Sequence, residues 1–239
     1  MKRHIVYIKS IFLLTLVVFL YGFASLRNDS RIVKGPVIEF SNGINLFLSH
    51  EMVDKLLKQN LKSLGKEPKS LINLHTLEMG VLSNPLVEEA KVFLTVDGVL
   101  NAVVKQRTPV LRVHAEDEVY YVDDKGFKMP MSDNYSARVM LASGAISERD
   151  IASIFELVTA ISGNDFLKKM IVGIEKKSTD TYLLHTRKYR QQIHFGAIQG
   201  VRQKIKKLEA FYNEVIQSNE VATYKVINLK YNNQVVCTK

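Results

Sequence analysis

Histidines are the first side chains to test for metal chemistry, because two of them three or four residues apart on a helix can bind one ion. The chain has six, and no two of them show that spacing. We therefore interpret them as isolated surface or strand histidines. They are His4, His50, His75, His114, His185 and His194.

Two short segments resemble ligand-binding loops. Asp123-Asp124-Lys125-Gly126 is acidic, but it lacks the alternating oxygen ligands and the final glutamate of a calcium loop, so it predicts a hairpin turn. Gly196 and Gly200 precede a basic helix, as in a phosphate-binding loop, but no Gly-Lys-Ser/Thr follows them. A strand–turn–helix junction explains both glycines. No serine or cysteine lies in a nucleophile motif, so we expect no enzyme, no cofactor, no metal site and no small-molecule substrate.

Composition narrows the class of partner. The net charge of +9 leaves nucleic acid, an anionic membrane surface or acidic proteins. No zinc-finger, helix-turn-helix or RNA-recognition signature accompanies the basic residues, which argues against nucleic acid. Cys237 is the single cysteine, so the fold rests on packing without an internal disulfide.

An uncharged apolar run extends from Ser10 to Leu26, about the shortest length that spans a membrane. Lys2, Arg3 and Lys9 precede it, so the positive-inside rule predicts a cytoplasmic N-terminus. A cleaved signal peptide is the alternative, with small residues at Gly22-Phe23-Ala24. The run is longer than the usual signal core, which favours an uncleaved anchor. In both cases the rest of the chain is exported.

Residues 84–113 organise the first exported region. Asp97-Gly98, between two β-branched runs, predicts a tight hairpin, and Asn84-Pro85 predicts the end of a preceding helix. Upstream, Val37 to Phe40 and Ile44 to Leu48 predict strand. Apolar residues at helical spacing predict two helices, the first starting after Ser49 and the second ending before Asn84. The predicted order is strand–helix–helix–strand–strand.

The region after Pro109 is predicted to be a mostly antiparallel β domain with two supporting helices. Ser147 and Asp150 form a capping-box-like helix start, and a second helix follows Gly200. The predicted strands are 110–113, 119–122, 139–142, 170–174, 182–185, 192–195, 225–229 and 234–237.

The segment from Leu229 to Val236 is expected to form a strand near the end of the sheet, with one side unpaired. An open edge can accept a partner's strand through main-chain hydrogen bonds, with side chains such as Tyr231 setting specificity. The alternative is a frayed terminal strand protected by its charge and shortness.

Four motifs, in order, resemble the cell-division FtsQ (DivIB) family over nearly the whole chain. They are Asn84-Pro85-Leu86-Val87-Glu88-Glu89-Ala90-Lys91-Val92, Gln106-Arg107-Thr108-Pro109, Tyr120-Tyr121-Val122-Asp123-Asp124-Lys125-Gly126 and Ile227-Asn228-Leu229-Lys230-Tyr231. The resemblance implies an α+β protein with a single N-terminal transmembrane helix, a βααββ POTRA module and the β domain. The expected segments are a cytoplasmic tail (1–9), an anchor (10–26), a linker (27–36), the POTRA domain (37–108) and the β domain (109–239). The motif residues expected to be structural are Asn84, Pro85, Val87, Ala90, Arg107 and Pro109.

The same resemblance implies a non-enzymatic scaffold at the division septum of the inner membrane, with the bulk of the chain periplasmic. It implies recruitment of FtsB and FtsL, FtsB adding a strand at the C-terminal edge, and contact with other divisome membrane proteins. The positions that match the binding segment are Lys230, Tyr231, Asn233, Gln234, Val235, Val236 and Cys237. The tail is shorter than in some relatives, and Leu86 stands where an aromatic residue is common. The alternative function is a POTRA-type chaperone or assembly factor that binds unfolded exported polypeptides, which would require further POTRA repeats or a β-barrel.

Overall fold

The computed structural model describes residues 2–29, 31–41, 43, 45–59, 69, 72–178, 181–232 and 234–239. Ile44 and Asn233, which the sequence placed in a strand and in the binding segment, lie outside the described residues. The chain divides into two compact units, Met1–Gln106 and Arg107–Lys239. We describe each unit by itself.

The first unit consists of one long helix followed by a small α+β module. Its elements are α1 (Lys2–Asp29), β1 (Lys34–Phe40), α2 (His50–Gln59), α3 (Leu74–Leu82), β2 (Val87–Leu94) and β3 (Val99–Gln106). The three strands form one sheet in the order β1-β3-β2, with β1 parallel and β2 antiparallel to β3. The predicted βααββ order is confirmed.

Local chemistry explains the boundaries of this module. The β2–β3 turn closes where the Gly98 N–H donates to the Thr95 carbonyl at 3.0 Å, and Gly98 has the left-handed φ of +80° that glycine tolerates. Helix α3 stops before Asn84, whose side-chain oxygen accepts from the Leu86 N–H at 2.9 Å. The Asn84-Pro85 pair therefore ends a helix, as predicted.

The predicted strand from Ile44 to Leu48 is wrong over its described part, because residues 46–48 form bends and residue 45 has no regular structure. Phe47 and Leu48 are nevertheless buried, and the Phe47 N–H donates to the Gln106 side chain at 3.1 Å. The apolar run reflects a loop that packs into the core, and a short apolar run looks the same in sequence whether it is strand or buried loop.

The second unit contains one nine-stranded sheet. Its strands are β4 (Pro109–His114), β5 (Val119–Asp123), β6 (Lys128–Pro130), β7 (Met140–Gly144), β8 (Ile171–Ser178), β9 (Thr181–Thr186), β10 (Gln192–Gly196), β11 (Val226–Asn228) and β12 (Val236–Thr238). Their order is β12-β11-β10-β9-β8-β7-β4-β5-β6. Five neighbouring pairs are antiparallel and three are parallel, so the sheet is mostly antiparallel, as predicted.

Helices α4 (Glu148–Ser162) and α6 (Val201–Gln217) are the two predicted supporting helices, and their apolar residues join those of the sheet in one core. A third helix, α5 (Asp165–Met170), was not predicted and spans only six residues. It begins at Asn164, whose side chain accepts from the N–H groups of Phe166 and Leu167.

A buried carboxylate anchors the start of this unit. Asp123 has no exposed surface and accepts from Arg107 Nη1 at 2.6 Å, from the Phe127 N–H at 2.7 Å and from the Lys125 N–H at 3.0 Å. The carboxylate therefore closes the β5–β6 turn, and residues 123–126 form the predicted hairpin turn.

A second carboxylate, Asp150, joins the start of α4 to the sheet. It accepts from the Ser147 N–H at 2.8 Å, from Lys176 Nζ at 2.6 Å and from the Tyr182 hydroxyl at 3.1 Å. Burial alone would raise the pKa of Asp150, but the hydrogen bonds from Lys176, Ser147 and Tyr182 outweigh it and lower the pKa to about 2.

Candidate partner-binding edge of the β sheet

Strand β12 lies at the end of the nine-stranded sheet. It pairs antiparallel with β11 through Val226–Thr238, Ile227–Cys237 and Asn228–Val236. Within the part of the chain that the structure describes, no strand pairs with its outer side.

The backbone of β12 presents hydrogen-bonding groups outward. Thr238 directs its carbonyl toward β11, where it accepts from the Lys225 N–H at 2.8 Å. Successive residues of a strand direct their backbone groups to opposite sides, so the N–H and C=O of Cys237 face the open side. Val235 precedes the strand and packs against the core as Cys237 does, so we infer that its N–H also faces the open side.

The side chains of β12 divide between the two faces of the sheet. Cys237 is opposite the buried Ile227, and both Cys237 and Val235 pack partly against the core, so burial raises the pKa of the Cys237 thiol. Val236 lies on the other face and is 41% exposed. Cys237 thus anchors the strand, while Val236 is accessible to a partner.

Tyr231 lies in the connection between β11 and β12, and helix α6 holds that connection. Lys207 Nζ donates to the Tyr231 carbonyl at 2.6 Å and to the Asn232 carbonyl at 3.2 Å. The Lys230 N–H donates to the Asn228 side chain at 3.0 Å. The backbone around Tyr231 is therefore fixed, while its side chain is half exposed.

A positively charged cleft of about 420 Å³ adjoins this connection. Lys204, Lys207 and Lys230 line it, and no acidic side chain does so among the residues that the structure describes. Lys204 Nζ donates to the Phe195 and Ala197 carbonyls, and burial together with the Lys207 charge lowers the pKa of Lys204. The sequence indicated only that a basic helix follows Gly200. The one-turn spacing of Lys204 and Lys207 is a weak sequence signal for a basic cleft. No local sequence pattern links these two lysines to Lys230.

The two glycines near the cleft lie at the predicted strand–turn–helix junction. Gly196 ends β10 and Gly200 precedes α6. A Cβ at Gly196 would lie 2.9 Å from Lys230 Cγ, so a glycine at this position leaves room for the lysine stem.

The predicted structural motif residues lie in turns and in the core. In the first unit, Asn84 and Pro85 form the turn after α3, and Val87 and Ala90 are buried in β2. In the second unit, Arg107 pairs with Asp123 and Pro109 begins β4. The predicted strand from Leu229 to Val236 is wrong over the described residues before Val236, where β12 begins. Gln234 is exposed in the connection before that strand.

Possible metal ligands do not converge. Within the described ranges, no group of three or more His, Cys, Asp or Glu side chains could hold a metal ion. His185 Nε2 lies 2.9 Å from Glu175 Oε2, which makes a local pair on adjacent strands.

Helix α1 contains one segment long and apolar enough to cross a membrane. Lys9–Asn28 has a mean hydropathy of 1.9, and none of it is buried within the protein. A signal sequence has the same features, but the segment fits a single-pass membrane protein.

Comparison with known proteins identifies the family. The FtsQ/DivIB, C-terminal related family model matches residues 108–238, more than half of the chain. No curated protein matches the sequence. A similar solved structure is the major extracytoplasmic domain of the trans isomer of the bacterial cell division protein DivIB from Geobacillus stearothermophilus. It is 13% identical, with a TM-score of 0.32, and the match covers 48% of this chain and 97% of that one. The family model alone carries the assignment, and it indicates a role in bacterial cell division. The chain belongs to the FtsQ/DivIB, C-terminal related family.

Proposed function

We propose that this protein is a non-enzymatic scaffold of the bacterial divisome that recruits the FtsB–FtsL pair through strand addition at β12. The observation that carries the proposal is that no described strand pairs with the outer side of β12, in a member of a cell-division family. Strand addition needs a row of free main-chain donors and acceptors, and the Cys237 backbone offers them on that side.

The surroundings of β12 support a specific contact. The partner strand would bond to the Cys237 backbone and contact the exposed Val236 side chain, while Tyr231 would contact the segment beyond the strand. The Lys204–Lys207–Lys230 cleft favours acidic side chains in that segment, since opposite charges steer association and fix its register.

Helix α1 supplies the membrane anchor in this proposal. The basic residues before Ser10 keep the N-terminal tail (1–9) in the cytoplasm, and the POTRA domain (37–108) and β domain (109–239) are periplasmic. The protein would then act at the inner membrane, at the division septum, where the POTRA domain assists localisation.

The binding test uses two variants of the edge in the full-length, detergent-solubilised protein. Tyr231→Asp places a charge in the contact, and Val235→Pro removes an outward N–H while leaving the β11–β12 pairing intact. Both should abolish pull-down of the FtsB–FtsL pair with an unchanged unfolding midpoint. Tyr189→Asp is the matched control, because Tyr189 is also an exposed tyrosine of the second unit but lies in the β9–β10 loop. Retained binding by both edge variants would contradict the proposal that the partner adds a strand at β12.

The cellular test separates the division role from the chaperone alternative. A fluorescent fusion should concentrate at midcell, and depletion of the protein should produce filaments. A uniform peripheral signal without filamentation would contradict the division role and favour a binder of unfolded exported chains.

A further inference from the structure

The β2–β3 turn is bonded to the segment that leaves helix α1. Arg31 Nη1 donates to the Val96 carbonyl at 2.9 Å, and the Lys34 N–H donates to the Gly98 carbonyl at 2.8 Å. A Cβ at Gly98 would lie 3.2 Å from the Ile32 carbonyl oxygen, so the two backbones are in close contact. The turn is therefore held against residues 31–34.

Residues 31–34 are in turn held near the end of α1. The Arg31 N–H donates to the Asn28 carbonyl at 3.3 Å, and Asn28 is the last residue of the apolar segment. The 20 residues of that segment span about 30 Å, which is the thickness of the hydrocarbon core. With α1 as the membrane anchor of the proposed function, Arg31 lies at the depth of the lipid headgroups, a layer of about 5–7 Å on each side.

The sheet topology places the turn at the same end of the module. Strand β1 follows the anchor and runs parallel to β3, with Lys34 opposite Val99. The start of β3, with the turn that precedes it, consequently lies beside the start of β1. Lys69 also connects the turn to the segment after α1. Its Nζ donates to the Thr95 carbonyl at 3.2 Å, and its N–H donates to the Arg31 carbonyl at 2.9 Å.

The chemistry of this end suits a bilayer surface. Val96 is 76% exposed at the tip of the turn, and Ile32 is 58% exposed. Arg31 and Lys34 are exposed cations beside them, and Asp97 is the acidic residue of the turn. Apolar side chains flanked by cations bind a membrane interface by burial among acyl chains and by attraction to lipid phosphates.

We propose that the β2–β3 turn docks on the surface of the anionic bilayer that holds α1. Val96 and Ile32 enter the interfacial layer, and Arg31 and Lys34 contact lipid phosphates. This contact sets the height and tilt of the POTRA module on the membrane. The inference rests on α1 being the uncleaved anchor of the proposed function.

Depth-dependent fluorescence quenching tests the contact in the full chain. The protein, with Cys237→Ser, is reconstituted into phosphatidylethanolamine vesicles that contain phosphatidylglycerol and a headgroup quencher. A fluorophore is placed at Val96→Cys or, as the matched control, at Ser41→Cys. Ser41 is exposed and directly follows β1, about 20 Å from the start of that strand. The probe should be quenched at position 96 and should retain its aqueous emission at position 41. Replacing the anionic lipid by phosphatidylcholine should reduce the quenching at position 96.

A third probe separates the contact from the anchor. A fluorophore at Val18→Cys, in the middle of α1, should be quenched by an acyl-chain quencher. Quenching at position 18 with equal emission at positions 96 and 41 would overturn the contact alone. Absence of quenching at position 18 would overturn the anchor and the contact with it. Quenching at position 96 that does not depend on the anionic lipid would remove the role of the cations.

Discussion

Lys207→Met tests whether the order of the β11–β12 connection matters for partner binding. The substitution keeps a long flexible side chain but removes the ammonium that donates to the Tyr231 and Asn232 carbonyls at 2.6 and 3.2 Å. The connection would lose its link to α6, while β11 and β12 would keep their mutual pairing.

The expected effect of Lys207→Met on binding and on stability follows from these two hydrogen bonds. A hydrogen bond to a charged group contributes about 1.5–3 kcal/mol when buried, and solvent at this half-exposed site reduces the two together to about 1–2 kcal/mol. If the partner binds only when the β11–β12 connection is ordered, this free energy is lost from binding. The Kd then rises about 5- to 30-fold. The free energy of unfolding should fall by no more than about 1–2 kcal/mol, since the core is untouched.

Calorimetric titration of the full-length protein with the FtsB–FtsL pair measures the Kd, and urea unfolding measures the stability. Lys206→Met is the matched control, because Lys206 is the preceding residue of α6, carries the same charge and is exposed. Equal weakening by both variants would assign the effect to net charge rather than to the two hydrogen bonds. An unchanged Kd for Lys207→Met would refute the reasoning outright.

Three further predictions concern the stability of the second unit. Asp123→Ala should lower the free energy of unfolding by about 3 kcal/mol, because it leaves Arg107 and two turn N–H groups without their acceptor; urea unfolding measures this, and a loss below 1 kcal/mol would contradict it. The pKa of Asp150 lies at about 2, below its ordinary 3.8, so its ionised form stabilises the fold above about pH 4 and this contribution is lost as the pH falls toward 2. The stability difference between wild type and Asp150→Asn should therefore shrink by up to about 2 kcal/mol across that range, and a constant difference would show that the carboxylate is not responsible. Gly144→Ala should unfold at a clearly lower temperature than Gly163→Ala, because Gly144 has φ +99° and its Cβ would lie 2.2 Å from a backbone oxygen, whereas the corresponding distance at Gly163 is 3.6 Å; equal midpoints would contradict this.

Local patterns in the sequence predicted most of the elements. Helical spacing and caps located α3, α4 and α6, and the Asp97-Gly98 pair located the β2–β3 turn. These signals are local, because caps, turns and periodicity depend on residues a few positions apart. The same locality explains the errors. The apolar residues at 46–48 do not distinguish a strand from a buried loop, and α5 is too short for a helical period to show.

The candidate edge was predicted from its position in the chain and from family resemblance, and the structure places β12 at the end of the sheet, at Val236–Thr238. Periodicity alone could not predict the strand order, in which β7 lies between β8 and β4 rather than beside β6. Such pairings join residues far apart in sequence, and no short window contains both partners.

The sequence by itself determined the apolar segment of α1, the βααββ order and the presence of a terminal strand, because each depends on residues that are close together in the chain. Only the tertiary structure decided that Lys207 of α6 holds the backbone at Tyr231, and that Arg31 holds the turn at Val96. Each contact joins two groups that are far apart in the sequence and that only the folded structure brings together. No short window of the sequence contains both groups, so no local pattern predicts either contact.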